Sequence, residues 1–395
     1  MKKNLPIIIV LLLFFIQEGN TQVVNYFSVP GYNEISKIDT NAYSVLPSGR
    51  YVKPAGQSIR ISHDPFGLAI SPNQKIAITM HENAITIIDL ASMQQKRIPE
   101  YKKNAFNPLK KGSFLGVAFN TNKNIVYLSG GDEGSVVIYD YVQNKKIDSI
   151  LLDGIFGGIK YEGSFTSDLI YEATRNELLI LDRGNFRLVR YSLNNKKIIA
   201  SIPTGRQPFG LAISPDQKTV LVANVGMYAY PIVEGTTKEN IQSQYINWHP
   251  YGNNTKESIE GKVIDGKKIP GLGSPNADES MSVFVIDLAT NKVKAKLKTG
   301  MLLGELVEDA EVIGGASPNS IVMGTKFAYV TNATNDNIAV IDYKRGRIAK
   351  HIAIKVDQRI DKLRGLVPFG IDLTKDEKYL FVALLGFNAV AKIDL

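Results

Sequence analysis

A short apolar strand closing on an aspartate recurs along this chain at a nearly fixed interval, and no other feature constrains the fold as tightly. The marks are Ile88-Asp89, Tyr139-Asp140, Tyr191-Ser192, Ile286-Asp287, Ile341-Asp342 and Ile393-Asp394, with serine standing in once. Successive marks lie 51, 52, 95, 55 and 52 residues apart. A period near 50 belongs to radial or stacked all-β arrays, and the longest interval reads as one period plus an insertion of about 45 residues.

Aligning the units on these marks brings a second signal into register. Pro65-Phe66-Gly67 leads into an apolar run and the turn Ser71-Pro72-Asn73, and Pro208-Phe209-Gly210 leads into Ser214-Pro215-Asp216. A third copy starts at Pro368-Phe369-Gly370, with looser ones at Phe114-Leu115-Gly116, near Asp168 and at Pro318-Asn319-Ser320. Ser-Pro-Asp and Ser-Pro-Asn combine a fixed φ with a side-chain acceptor, which is what a chain reversal needs. A second strand follows each turn, then a polar loop, the third strand with its aspartate, a lysine-rich turn and a fourth strand. The aspartates therefore read as turn formers that accept from nearby backbone amides.

Four-stranded meanders at this period read as blades of an all-β, antiparallel β-propeller, in which each sheet packs its face on the next. The strands are near-continuous runs of Val, Ile, Leu, Phe and Tyr, as suits sheets covered on both faces. Six repeats are visible. Residues 57–61, before the first Pro-Phe-Gly, could supply the fourth strand of the last blade and close the ring, and residues 43–53 could supply part of a seventh.

The opening Met1-Lys2-Lys3, an apolar run from Leu5 to Ile16 and the polar residues after it form a signal-peptide pattern. Such a run spans about 18 Å as a helix, short of the roughly 30 Å bilayer core. The domain reading is a leader over 1–22, a lead-in over 23–44 and a propeller over 45–395. Export to the periplasm or the extracellular space follows, with no membrane span after leader removal. The chain has no cysteine, which removes disulfides and thiolate metal sites. Its formal charge is +8, but the lysines scatter over turns and outer strands without a dense basic run, so no nucleic-acid partner is implied.

The insertion covers about 227–280, between the second and third strands of the fourth unit. It carries the only tryptophan, Trp248, beside His249, with Tyr228, Tyr230, Tyr245 and Tyr251 near and Ile269-Pro270-Gly271-Leu272-Gly273 at its close. A loop this long usually has a function, so Trp248, His249 and Tyr251 are candidate contacts for a ligand or a neighbouring domain. Alternatively, the aromatics only order the loop. Asn224 and Asn332, ending equivalent strands, are candidates either for capping loops or for touching a ligand. Glu305, Glu308, Asp309 and Glu311 cluster without a glycine-spaced calcium loop and read as a solvated face.

No catalytic residue, metal ligand set or cofactor site is expected. There is no Gly-x-Ser-x-Gly elbow, phosphate-cradling loop or His-Glu-x-x-His helix. A metal gathered from distant loops at the ring centre, as in propeller lactonases, stays open as an alternative that would make the chain a hydrolase.

Tyr329-Val330-Thr331-Asn332 followed by Asn337-Ile338-Ala339-Val340-Ile341-Asp342 resembles the repeat of YVTN-type β-propellers, and Val222-Ala223-Asn224 is a degenerate copy. Leu46-Pro47-Ser48-Gly49-Arg50, Pro54-Ala55-Gly56, the Ile-Pro-Gly-Leu-Gly segment, Ser317-Pro318-Asn319-Ser320 and the run from Asn332 to Asn337 are similar to the propeller half of exported bacterial proteins that join it to an alkaline-phosphatase-like phosphoesterase domain. That resemblance implies a non-catalytic binding or docking module. Its partner would be a phosphoesterase domain, an envelope protein or a cell-surface ligand. No catalytic residue carries over, because the hydrolase motifs have no counterpart here.

Overall fold

A computed structural model describes residues 28–109, 112–237, 239–243, 255–307, 310–360 and 362–395. The chain divides into two compact units, Met1–Arg60 and Ile61–Leu395. The expected leader lies outside the described residues. In the first unit Ser44–Val45 pairs antiparallel with Tyr51–Val52, so residues 43–53 form their own hairpin and belong to no blade. Tyr43 packs on Tyr51 at 4.4 Å between ring centres, and the hydroxyl of Tyr51 donates to Glu34.

The second unit is built of six antiparallel meanders, as the repeat predicts. Blade one comprises Leu68–Ile70, Ile76–His81, Ala84–Asp89 and Gln95–Ile98. Blade two comprises Val117–Phe119, Ile125–Ser129, Ser135–Asp140 and Lys145–Leu151. Blade three has Thr166–Glu172, Glu177–Asp182, Arg187–Ser192 and Lys197–Pro203, and blade four Pro208–Ile213, Thr219–Asn224, Ser282–Asp287 and Lys292–Lys298. Blade five has Pro318–Met323, Ala328–Asn332, Asn337–Asp342 and Arg347–Ala353. Blade six has only Pro368–Leu373, Tyr379–Leu384 and Ala389–Asp394. Residues 57–61 form no strand, so the expected closure by an N-terminal strand is corrected: among the described residues nothing pairs with the outer edge of blade six.

The turn chemistry is local. Asp89 accepts from the amides of Ala91 and Ser92, Asp140 from Val142 and Gln143, and Asp287 from Ala289 and Thr290, all at 2.7–3.1 Å. Four residues after each of the first five marks the backbone turns left-handed, at Met93, Asn144, Lys196, Asn291 and Gly346. At the other reversal Ser214 Oγ accepts from the amide of Thr219 at 3.0 Å and donates to Asp216, as Thr374 does for Tyr379 and Asp376.

These turns should make the stability of the protein fall in acid. The Lys294 ammonium first, then the Thr290 amide, hold the Asp287 carboxyl down at about 2. Hydrogen bonds within their own turns likewise lower Asp89, Asp216 and Asp376. A carboxyl whose folded pKa lies below its unfolded value of about 3.9 adds stability above that pH and loses it as the pH falls through the folded value. Thermal unfolding at stepped pH should show stability declining from about pH 4 to about pH 2. Asp287→Asn should flatten that decline, and an unaltered profile in the variant would contradict the assignment.

Packing between blades supplies the core. Five apolar clusters fill the five seams from blade one to blade six, such as Leu179, Leu181, Val220, Val222, Phe284 and Ile286 between blades three and four. The first strands of consecutive blades lie side by side around the axis. Here the glycine of Pro-Phe-Gly finds its reason. A Cβ on Gly67 would collide with the Leu115 carbonyl of blade two, one on Gly116 with the backbone of Asp168, and one on Gly210 with the Asn319 carbonyl. Among the described residues no comparable packing joins the first strands of blade six and blade one, and a Cβ on Gly370 would meet only the Ala383 side chain. Leu68 and Ile70 on blade one, and Phe381 and Val390 on blade six, are accordingly left exposed.

Candidate binding face

The loops that lead into first strands and those that join second to third strands emerge on one face of the ring. The insertion belongs to this face. Its described parts are 227–237, 239–243 and 255–280. A helical turn, Lys256–Glu260, is capped by Thr255, whose hydroxyl accepts from the amide of Ser258 at 3.3 Å. The hairpin Gly261–Ile264 with Lys267–Pro270 follows, turning through Asp265 and Gly266, both left-handed, as a two-residue primed turn requires.

Ile-Pro-Gly-Leu-Gly anchors this structure. Ile269 is buried, the amide of Leu272 donates to Ser258 at 2.8 Å, and Leu272 accepts from the amide of Ala229 at 2.9 Å. Arg206, just before blade four, donates to the carbonyls of Met227 at 2.7 Å and Ser274 at 2.8 Å, pinning both ends of the insertion to the ring. Tyr228 is buried edge-on against the exposed Tyr230. Trp248, His249, Tyr245 and Tyr251 lie outside the described residues.

Beside the insertion runs the segment 300–315. Asn276 joins the two reciprocally: its Nδ2 donates to the Leu303 carbonyl at 3.0 Å, and the Leu303 amide donates to its Oδ1 at 3.0 Å. Between this segment and blade five opens a cleft of about 490 Å³, with Met301, Val307, Val312, Ile313 and Ile354 among its walls and Lys355 and Arg364 at its edge. Its polar groups are engaged internally. Asp336 accepts from the amides of Gly365 at 2.7 Å and Val367 at 2.9 Å, and Asn335 bonds the amide of Met301 and the Gly315 carbonyl. What remains for a ligand is an apolar recess of the size small-molecule or side-chain anchors occupy.

Asn224 and Asn332 do not reach this cleft's surface. Both are fully buried, each facing the first residue of the next strand: Asn224 donates to the Ser282 carbonyl at 3.1 Å, Asn332 to Asn337 Oδ1 at 2.8 Å. Asp182 occupies the same place in blade three, paired with Arg187 at 2.8 Å. One polar cross-strand pair thus joins the ends of the second and third strands in three blades. Of the acidic cluster, Glu311 pairs with Leu306 in a two-residue ladder that Glu305 precedes, while Glu308 and Asp309 lie outside the described residues. Among the described residues no three His, Asp or Glu side chains come together as a metal site would require.

Phenylalanine rings from the first-strand entries of five blades meet one another. Phe114 meets Phe165 at 5.1 Å and Phe209 at 5.5 Å, both edge-on, Phe209 meets Phe369 at 5.7 Å, and Phe66 stacks on Phe114 at 6.2 Å. Arg183 lies over Phe165 and Phe114 and donates to Gln207 at 2.6 Å. Deeper in the wall, Asp168 stands where four of the other five units carry glycine and the fifth carries Ser320. It accepts from the amides of Leu169 at 2.8 Å and Leu211 at 3.2 Å, tying blade three to blade four, and burial pushes its carboxyl up to about 7. The missing glycine was the sequence's only sign of this residue.

No protein-family description matches the chain, and no curated protein sequence does. Solved structures do match. The chain is similar to hydrazine synthase of Kuenenia stuttgartiensis at 16% identity and a TM-score of 0.52, over 87% of this chain and 80% of that one. It is similar to virginiamycin B lyase from Staphylococcus aureus at 11% identity and a TM-score of 0.53, over 89% and 87%, and to U3-55K at 12% identity and 0.53, over 89% and 91%. The shared fold is the β-propeller. At these identities the likeness carries architecture alone, so activity must be argued from the site.

Proposed function

We propose that this chain is an exported, non-catalytic propeller that docks a partner on its insertion-bearing face, the partner being a phosphoesterase domain, another envelope protein or a cell-surface ligand. The observation that supports this most is the apolar cleft with two cations at its edge, next to an insertion pinned at both ends. Binding energy concentrates where a few anchors fill such recesses. The YVTN-type and propeller–phosphoesterase resemblances rest on their motifs and add the expected class of partner. No helix among the described residues is long and apolar enough to cross a membrane.

The test is affinity for partners captured by cross-linking in the native envelope. Ile313→Glu charges an exposed wall of the cleft, and Trp248→Ala removes the insertion's largest anchor. Each should weaken binding by about ten-fold or more. Unchanged affinity of every captured partner for both variants would reject this face. Mass measurement of the native polypeptide should show the first residues removed.

The rival reading is a divalent metal in the central channel hydrolysing a lactone or phosphoester, where phenylalanine rings of the first-strand entries cluster. A stoichiometric metal retained through purification would favour it over docking.

A further inference from the structure

The face opposite the insertion carries the turns that join first to second strands and third to fourth strands. Both kinds emerge together: the amide of Leu90 donates to the Lys75 carbonyl at 2.9 Å, that of Leu193 to Asn176 at 3.1 Å and that of Leu288 to Lys218 at 2.9 Å. Neighbouring blades meet there too. Arg175 of blade three donates to the Gln217 carbonyl of blade four at 3.1 Å, and the Thr325 amide of blade five to Glu377 of blade six at 2.9 Å. These eleven turns, each taken from the last residue of one strand to the first of the next, hold fourteen Lys and Arg against nine Asp and Glu, an excess of five in a chain whose formal charge is +8. Lysines that scatter along the sequence are thus gathered on one surface.

The two signs are not presented alike. Thirteen of the fourteen cations are exposed, Arg175 being the exception, whereas of the nine carboxylates only Asp216 and Asp376 are. The turn chemistry itself is the cause. Asp89, Asp140 and Asp287 fold back onto backbone amides, and Glu172 and Glu177 are buried against Arg175 and Arg190, which leaves the ammonium groups outermost. Among the described residues only Arg175, Arg345 and Lys378 of these cations pair with a carboxylate, each within its own turn. Anything that approaches this face meets positive charge first.

We propose that this turn face binds the surface of an anionic lipid bilayer, its exposed lysines set against the headgroup phosphates and the insertion-bearing face turned away from the lipid. The cations are spread over the turns of all six blades instead of lining a groove, which suits a flat and laterally continuous partner better than a threaded polymer. No aromatic ring of these turns is exposed, so nucleic-acid bases find nothing to stack on. Val142, 64% exposed in the blade-two turn beside Lys145, offers the headgroup layer an apolar contact. Each basic residue near an anionic leaflet adds attraction that fades within a Debye length, about 10 Å at 0.1 M salt. This surface does not depend on partner docking at the insertion, and either reading can fail alone.

The test is sedimentation of the full chain with vesicles of phosphatidylglycerol mixed into phosphatidylcholine, against vesicles of phosphatidylcholine alone. The chain should bind the anionic vesicles, come off as salt is raised, and leave the neutral ones alone. Lys123→Glu, Lys196→Glu and Lys326→Glu combined, one exposed turn lysine from each of three blades, should weaken anionic-vesicle binding by about ten-fold or more. Lys103→Glu, Lys160→Glu and Lys268→Glu combined make the same change in net charge in loops of the insertion-bearing face, and should stay within about two-fold of the parent. No binding to either vesicle would overturn the proposal. So would equal weakening by both triple variants, which assigns binding to net charge, or equal binding of neutral vesicles, which assigns it to apolar contact. Release of the chain from anionic vesicles by duplex DNA at matched phosphate would assign the face to a polymer and overturn it as well.

Discussion

Asp182→Ala should lower stability by about 3–5 kcal/mol, the range for leaving one partner of a buried ion pair alone. Asp182 is fully buried and accepts from Arg187 Nε at 2.8 Å, Ser164 Oγ at 2.9 Å, the Phe165 amide at 3.1 Å and Asn185 Nδ2 at 3.0 Å. Arg187 is also buried. It donates to the Leu152 carbonyl of the preceding blade at 2.8 Å and lies 3.5 Å over the Tyr161 ring. Removing the carboxylate strands a buried guanidinium. Denaturant unfolding of the single variant and of the double variant Asp182→Ala, Arg187→Met separates charge from shape. The double variant should recover much of the loss, because replacing a whole buried pair by apolar volume is far less costly than breaking it. A single variant within about 1 kcal/mol of the parent would contradict this account.

The second large effect tests why the motif needs glycine. Gly210→Ala should cost about 3 kcal/mol, the upper end of the usual overpacking range, because its methyl group would overlap the Asn319 carbonyl oxygen and the two first strands cannot separate without opening the seam. Gly370→Ala is the internal control. It occupies the same place in the motif but has only the Ala383 side chain nearby, so it should stay within about 0.5 kcal/mol of the parent. Equal penalties at the two sites would mean that the glycines serve their own strands, and that blade six is packed on both sides.

The repeat was legible because turns and strand faces are written in neighbouring residues. Asp89, Asp140 and Asp287 bind amides two and three positions on, and Ser214 and Asp216 bond each other, so these contacts form whatever the rest of the chain does. The insertion's placement followed from counting periods. Asn224 and Asn332 were recognised as equivalent, though their full burial could not be read from a strand end that looks alike whether covered or bare. Asp168 and Arg206 were illegible as to role, since their partners Leu211, Met227 and Ser274 come from other elements.

By itself, then, the sequence determined the period, the four-stranded unit, the turn chemistry and the position of the one long interruption, because each rests on interactions spanning a few residues. Only the tertiary structure decided which blades share a packed seam, how the phenylalanines of the entries meet and which apolar side chains stay exposed. Those outcomes depend on contacts between blades some fifty residues apart, where the backbone of one unit sets how much room a side chain of the next is given.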